Sequence, residues 1–153
     1  MARLENLPEP MRSHIANLPC PTYETQPWAE GPPLSERRIA IVSTAGLHTR
    51  DDRPFTSLSG EYRIIPGDIE SKDLIMSHIS TNFDRSGFQQ DWNVIFPVDR
   101  LRDFAAEGHI GSVADFHYSF MGATVPEKME QTAHNLADLL QKDRVDGVLL
   151  VPV

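Results

Sequence analysis

Residues 38–46 read Arg-Ile-Ala-Ile-Val-Ser-Thr-Ala-Gly, and this stretch decides the fold. Positions 39–42 are apolar without a break, with no alternation of apolar and polar residues. An unbroken short run rich in β-branched residues is the pattern of a strand buried on both faces, as in a parallel sheet. It closes on the small residues Ser43, Thr44, Ala45 and Gly46, which let another backbone or a ligand come close. Working outward, Tyr62-Arg63-Ile64-Ile65 reads as a second short strand stopped by Pro66-Gly67. Residues 47–60 read as a loop, and residues 71–80 as a short helix or an irregular segment. Residues 81–91 read as a further loop. Asn93-Val94-Ile95-Phe96 leads into a helix, with Pro97 suited to a first turn and Gly108 to the position just past the end. Within it Val98, Leu101, Phe104 and Ala105 recur at helical spacing. A second helix is expected from Pro126, where Met129, Ala133, Leu136 and Leu140 form one apolar face. Asp146-Gly147 then turns the chain into the apolar strand Val148-Leu149-Leu150-Val151. Helix, turn and apolar strand in this order are the grammar of an α/β protein with an open, mainly parallel sheet and flanking helices.

The first 36 residues differ. They hold seven of the twelve prolines: Pro8, Pro10, Pro19, Pro21, Pro27, Pro32 and Pro33. Proline removes a backbone donor and fixes φ, so an irregular Pro-rich N-terminal arm is expected over 1–36 and the α/β domain over 37–153. Residues 11–18 allow one or two helical turns, and Tyr23 and Trp28 are expected to pin the arm to the domain.

The chain has 153 residues and a net charge of −8. One domain is expected at this length. The acidic balance argues against nucleic acid and against anionic membrane as partners. Cys20 is the single cysteine. One thiol forms neither an internal disulfide nor a Cys-x-x-Cys pair, which fits a reducing cytoplasm. The N-terminal residues lack the apolar core of a signal peptide, and the longest apolar run falls far short of the roughly 20 residues that span a bilayer. A cytoplasmic location without membrane attachment is expected.

Several residues could carry chemistry. Ser43, Thr44, Gly46 and His48 sit at a strand end, where hydroxyls and an imidazole could bind an anion or move a proton; an ordinary tight turn is the alternative. His78, followed by Asp84, and His117, followed by Tyr118 and Ser119, form two further groups. Segment 117–122 shows no clear period and is expected to be a loop. Two histidines and a carboxylate could hold a divalent metal, but the His-x-x-x-His spacing is absent, so buried hydrogen-bonded histidines or acid/base groups compete. Arg50, Arg53 and Arg63 could clamp a carboxylate, against the alternative of surface arginines. His134 falls opposite the apolar face of its helix and is expected to be exposed. His14 and His109 have no context that recommends them. No Ser/His/Asp order indicates a hydrolase.

Seven phrases in order carry a resemblance. They are Ile39-Ala-Ile-Val-Ser-Thr-Ala-Gly46, Tyr62-Arg-Ile-Ile-Pro-Gly-Asp68, Ser77-His78, Asn93-Val-Ile-Phe-Pro-Val-Asp-Arg-Leu101, Glu107-Gly-His-Ile-Gly111, His117-Tyr-Ser-Phe-Met-Gly122 and Asp146-Gly-Val-Leu-Leu-Val-Pro-Val153. Together they resemble the selenoprotein B family of glycine/sarcosine/betaine/D-proline reductases over about residues 35–153. The resemblance implies an oxidoreductase component for reductive C–N cleavage of a small amino-acid-like substrate, with a dithiol as electron donor. It further implies partner reductase subunits, one of them supplying a pyruvoyl group, or a thioredoxin-like donor. A homo-oligomer is also compatible with it.

The family's redox motif is selenocysteine or cysteine, two residues, then cysteine, directly after the last strand. This sequence reaches Pro152-Val153 at that point. The expectation is a chain cut at a UGA codon, with selenocysteine in the full-length protein and no cofactor or nucleophile within residues 1–153. His78, His117 and Tyr118 then stand as acid/base candidates, and Ser43, Thr44, Gly46, His48 and Ser119 as substrate contacts. The rivals are a non-catalytic binding or accessory module of the same fold and a His-dependent metalloenzyme. A cut chain is expected to expose an apolar face beside the last strand and to self-associate.

Overall fold

The structure is a computed structural model that describes residues 4–19, 22–26, 28–57, 59–79, 85–122 and 124–153. Seven strands are described: β1 Arg38–Ser43, β2 Leu47–Thr49, β3 Tyr62–Pro66, β4 Leu74–Met76, β5 Ser112–Val113, β6 Phe116–Phe120 and β7 Gly147–Val151. The α-helices are α1 Glu9–Ala16, α2 Ser86–Gln90, α3 Val98–Ala106 and α4 Glu130–Lys142. The main sheet is built on β1, which pairs in parallel with β5 and β6 on one side and with β7 on the other. β3 adds to β6 in antiparallel fashion, giving a mainly parallel α/β sheet.

The apolar run on β1 is buried as its sequence requires: Ala40 and Ile41 have no exposed surface. Its two faces feed two clusters. Ile39 and Ile41 join Leu47, Ile65, Ile95, Phe96 and Val98, with Leu101 of α3. Val42 joins Tyr62, Tyr118 and Phe120 beneath Leu136, Leu139 and Leu140 of α4. The Tyr62 ring meets Tyr118 and Phe120 edge-on at 5.8 and 5.6 Å, a geometry favoured by the ring quadrupoles. α3 starts after Pro97 and ends at Gly108, whose φ of +76° glycine adopts without strain.

Three segments differ from the sequence reading. β2 and β4 form a small antiparallel ribbon where a loop and an irregular segment are expected. Three residues apiece are too short to show a period. β6 replaces the expected loop around His117: in Phe116-His117-Tyr118-Ser119-Phe120 only Phe116 is exposed, and the polar His117 and Ser119 are buried along with Tyr118 and Phe120. Trp28 is 80% exposed and does not pin the arm, whereas Tyr23, 70% exposed, lines a cavity with Pro126, Met129 and Ala133 of the domain. Lesser departures are Phe104 and Ala133, which are exposed despite their helical spacing. α1 supplies the short helix in the arm, and Pro10 sits in its first turn.

The ladder between β1 and its β5–β6 neighbour is interrupted. Its register steps from Ile39↔Val113 to Val42↔Tyr118, so residues 114–117 face only Ala40 and Ile41. A bulge of this kind leaves backbone groups unpaired, and two side chains repair it. The Ile41 N–H donates to His117 Nδ1 at 3.0 Å. The Asp143 carboxylate, beyond the end of α4, accepts the N–H groups of Asp115 and Phe116 at 2.9 and 3.2 Å. Its other oxygen takes Arg38 Nε and Nη2 at 3.1 and 2.6 Å. Arg38 Nη1 in turn donates to the Val113 carbonyl at 2.8 Å.

Candidate functional site

In open parallel sheets, ligands bind beyond the carboxyl ends of the strands. Here the ends of β1, β6 and β7 meet, and the segment after β4 joins them. Gly46 N–H donates to the Phe120 carbonyl at 2.9 Å, and Ser77 N–H to the Gly46 carbonyl at 2.9 Å. Gly122 N–H donates to the Thr44 carbonyl at 2.9 Å. Val153 N–H donates to Thr44 Oγ1 at 2.8 Å, and Thr44 N–H to the Val151 carbonyl at 3.1 Å. The edge is therefore a backbone hub knitted from four chain segments.

Small residues make the hub close up. Gly46 has φ +66°, and a Cβ there would lie 3.1 Å from the His78 backbone nitrogen. A Cβ on Gly122 would lie 2.7 Å from the Val153 carbonyl oxygen and 2.9 Å from that of Thr44. Both obstacles are backbone, which yields little. Gly122→Ala is therefore expected to cost about 1–3 kcal/mol and to detach residue 153 from Thr44. Chemical denaturation measures the first effect and amide hydrogen exchange at Val153 the second. An unchanged midpoint and an unchanged Val153 exchange rate would show that the contact is slack.

The expected site residues divide into two sets. At the edge lie Thr44, Gly46 and His78. His78 is 4% exposed, and burial, then the Arg85 charge, lowers its pKa from the usual 6.5, so the imidazole is neutral at pH 7. Arg85 also donates to the His78 carbonyl. The other candidates are engaged inside the fold. Ser43 Oγ donates to the Ile95 carbonyl at 3.0 Å and accepts the Ala45 N–H at 3.2 Å. Ser119 Oγ accepts the Leu47 N–H at 2.8 Å. His48, 2% exposed, shares Nδ1 with the Thr49 carbonyl at 2.8 Å. Tyr118 packs under α4, where burial, then Asp143 and Tyr62, raise the phenol pKa, so its proton stays on.

His117 is wholly buried. Because Nδ1 accepts from Ile41, the proton of the neutral ring sits on Nε2. That nitrogen has no hydrogen-bond partner among the described residues, and the ring packs edge-on to Phe96 at 5.4 Å. Burial, then the charges of Arg102 and Arg38 against Asp143, brings its pKa down to about 4.

The arginine clamp is not assembled. Arg63 is 6% exposed rather than a surface residue. Its guanidinium lies 4.5 Å over the Phe55 ring and pairs with Glu61 at 3.3 Å and Asp52 at 3.6 Å. The ring stack and two carboxylates compensate its burial. Arg53 pairs with Glu61, and Arg50 donates to the Lys72 carbonyl. Among the described residues no three His, Cys, Asp or Glu side chains are grouped to hold a metal. Asp84 and Cys20 lie outside the described residues. Gly122 and Arg85 belong to the edge and were not singled out from sequence. Gly122 was legible only as the end of the 117–122 phrase.

The same edge is built from the phrases that carry the family resemblance. The profile of the glycine/sarcosine/betaine reductase selenoprotein B family matches residues 12–153, reaching into the Pro-rich arm that those phrases leave out. The chain is 36% identical over 121 residues to D-proline reductase subunit gamma of Acetoanaerobium sticklandii, covering 76% of this chain and 49% of that protein. It is 30% identical over 122 residues to betaine reductase complex component B subunit beta of Peptoclostridium acidaminophilum, covering 76% and 28%. It is 29% identical over 147 residues to glycine reductase complex component B subunit gamma of Symbiobacterium thermophilum, covering 90% and 33%. The chain thus spans half or less of the length of these relatives. No solved structure matches it. No helix among the described residues is long and apolar enough to cross a membrane. With nearly its whole length matched, the chain belongs to the glycine/sarcosine/betaine reductase selenoprotein B family.

Proposed function

We propose that this chain is the part of a reductase B component that shapes the site for reductive C–N cleavage of a small amino acid or an N-methylated relative. The observation that carries the reading is the meeting of Thr44, Gly46, His78, Gly122 and Val153 at one carboxyl edge of the sheet. In the cleavage the C–N bond breaks, a C–H bond forms in its place, the amine nitrogen takes up the second proton, and the two electrons and two protons come from a dithiol that ends as a disulfide. A selenol or low-pKa thiol, supplied outside residues 1–153, is the nucleophile this chemistry needs when bound, because an ionised chalcogen attacks carbon at neutral pH.

The chain's own residues do the positioning. Thr44 Oγ1 holds the backbone of residue 153 at the edge. Gly46 and Gly122 let the His78, Thr44 and Val153 backbones close onto one another. His78, neutral at pH 7, has an imidazole suited to take a proton there rather than to hold a carboxylate by charge. Partner reductase subunits or a thioredoxin-like dithiol donor complete the system, and the reducing cytoplasm is its compartment. The relatives are named for D-proline, betaine and glycine, and the substrate of this chain falls within that class of small amino acids.

The test is reconstitution with the remaining reductase components and assay of dithiol-dependent product release from glycine, sarcosine, betaine and D-proline. The rate is expected to require this chain and to fall at least about tenfold with His78→Gln, at an unchanged unfolding midpoint and with an altered pH profile. A rate independent of the chain would overturn the reading. A second reading, a non-catalytic binding module, is favoured by the internal use of the Ser43 and Ser119 hydroxyls. It predicts substrate-class binding by calorimetry that survives His78→Gln.

A further inference from the structure

Arg85 stands just before α2 and donates to the His78 carbonyl. The same His78 backbone is what a Cβ on Gly46 would strike, 3.1 Å from its nitrogen. One residue's main chain therefore separates the guanidinium from the hub, and its charge sits at the edge where β1, β6 and β7 end. The side chains of Thr44, Ser77 and Val153 bring no charge there, and the His78 imidazole is neutral at pH 7. This charge is not matched by a carboxylate. In a chain with 22 acidic and 14 basic residues, Arg12, Arg38, Arg53, Arg63, Arg100 and Arg102 each pair with one. Arg85 pairs with none among the described residues. It is exposed, and its donation to His78 engages Nη2 alone of the guanidinium nitrogens. An arginine that keeps donors open in an acidic protein is a fork for an incoming anion.

The substrate class supplies the anion. Glycine, sarcosine, betaine and D-proline all carry a carboxylate on the carbon that bears the nitrogen, and they differ in what the nitrogen carries. An anionic chalcogen that approaches this carbon meets the negative charge of the carboxylate. A guanidinium on the carboxylate cancels that repulsion and fixes the direction of the C–N bond. It makes no contact with the nitrogen, so it accepts a free amine, methyl groups or a ring alike.

We propose that Arg85 is a specificity-determining residue that holds the substrate's carboxylate at the carboxyl edge. The inference rests on the reductase reading for its substrate class. In the reconstituted system, glycine, sarcosine, betaine and D-proline are each compared with the corresponding carboxamide, which keeps the nitrogen and loses the negative charge. The wild type is expected to prefer the acid by about tenfold or more in kcat/KM. Arg85→Gln should raise the KM for the acid by about tenfold or more and abolish the preference. Arg85→Lys keeps the charge without the fork and should recover part of it. The unfolding midpoint should not move in either variant. Apart from turnover, the Arg85 Nε–H resonance of the 153-residue chain is expected to shift when at least one of the four acids is titrated in, and to stay in place with its amide. Equal losses for acid and amide would make Arg85 a support for His78 alone and would overturn the proposal. So would a resonance that no acid moves. An inactive wild type would instead sink the reductase reading, and the titration then decides the role of Arg85 by itself.

Discussion

Replacing Asp143 by alanine is expected to cost about 3–5 kcal/mol, the range for removing one partner of a buried ion pair. The side chain is only 9% exposed, and its partner Arg38 is 20% exposed. One oxygen neutralises the guanidinium while the other closes the two backbone donors that the bulge leaves open. Alanine leaves the guanidinium only the exposed Asp115 carboxylate at 2.9 Å and opens two N–H groups together, and unsatisfied donors cost more than the bonds contribute. Because domains are stable by only about 5–15 kcal/mol, much of the folded population should be lost. Asp143→Asn keeps an acceptor but not the charge and should cost about 2 kcal/mol. Asp138→Ala, on the exposed side of α4, should stay within about 0.5 kcal/mol. Urea unfolding of the three variants decides the matter. A loss below about 1 kcal/mol for Asp143→Ala would mean that the bulge closes by other means.

The second large effect is acid sensitivity through His117. An unfolded histidine titrates near 6.5, whereas the buried ring titrates at about 4. Its folded pKa is depressed, so the neutral ring's contribution is complete above pH 6.5. It is lost progressively as the pH falls from 6.5 toward 4. Below that the difference amounts to about 3 kcal/mol by linkage. The mechanism is geometric: a proton on Nδ1 removes the acceptor for Ile41 N–H and places a cation beside the apolar β1 core. The groups that face it are Arg102 of α3, Arg38 of β1, Asp143 and the Phe96 ring. His117→Asn offers a carbonyl oxygen to the same N–H without titrating. The wild type should lose about 2.5 kcal/mol more than this variant between pH 7.5 and 4.5. Parallel stability curves for the two would sink the idea.

These two residues also show where sequence reading stops. β1, β7, α3 and α4 are legible because an unbroken apolar run and a 3.6-residue period survive in their sequences. β6 is not, since the polar His117 and Ser119 are buried alongside Tyr118 and Phe120, and a pattern rule places polar residues outside. The burial of His117 depends on the missing ladder partners of β1, and no local window around residue 117 contains that information. Arg63 escapes for a similar reason: the Phe55 ring and the carboxylates of Asp52 and Glu61 that house it come from a loop of no evident period. For the site, the 43–46 turn and His78 were readable as small and titratable residues at element ends. That Ser119 and His48 serve the interior follows only from how β2 and β6 pack together, and that Ser43 does follows from the approach of the Ile95 carbonyl.

The stitch at the bulge also bears on how this protein is made. β1 leaves the ribosome early, yet its parallel neighbours begin at residues 112 and 147, and the Arg38–Asp143 clamp closes a separation of 105 residues. Elongation at roughly 5–20 residues per second leaves the nascent Ile39–Val42 segment without its partners for many seconds. Contacts this distant in sequence also slow the search once the chain is free. Yield in cells should therefore depend on holdase chaperones and on translation speed through residues 44–143 more than on the final stability of the folded molecule.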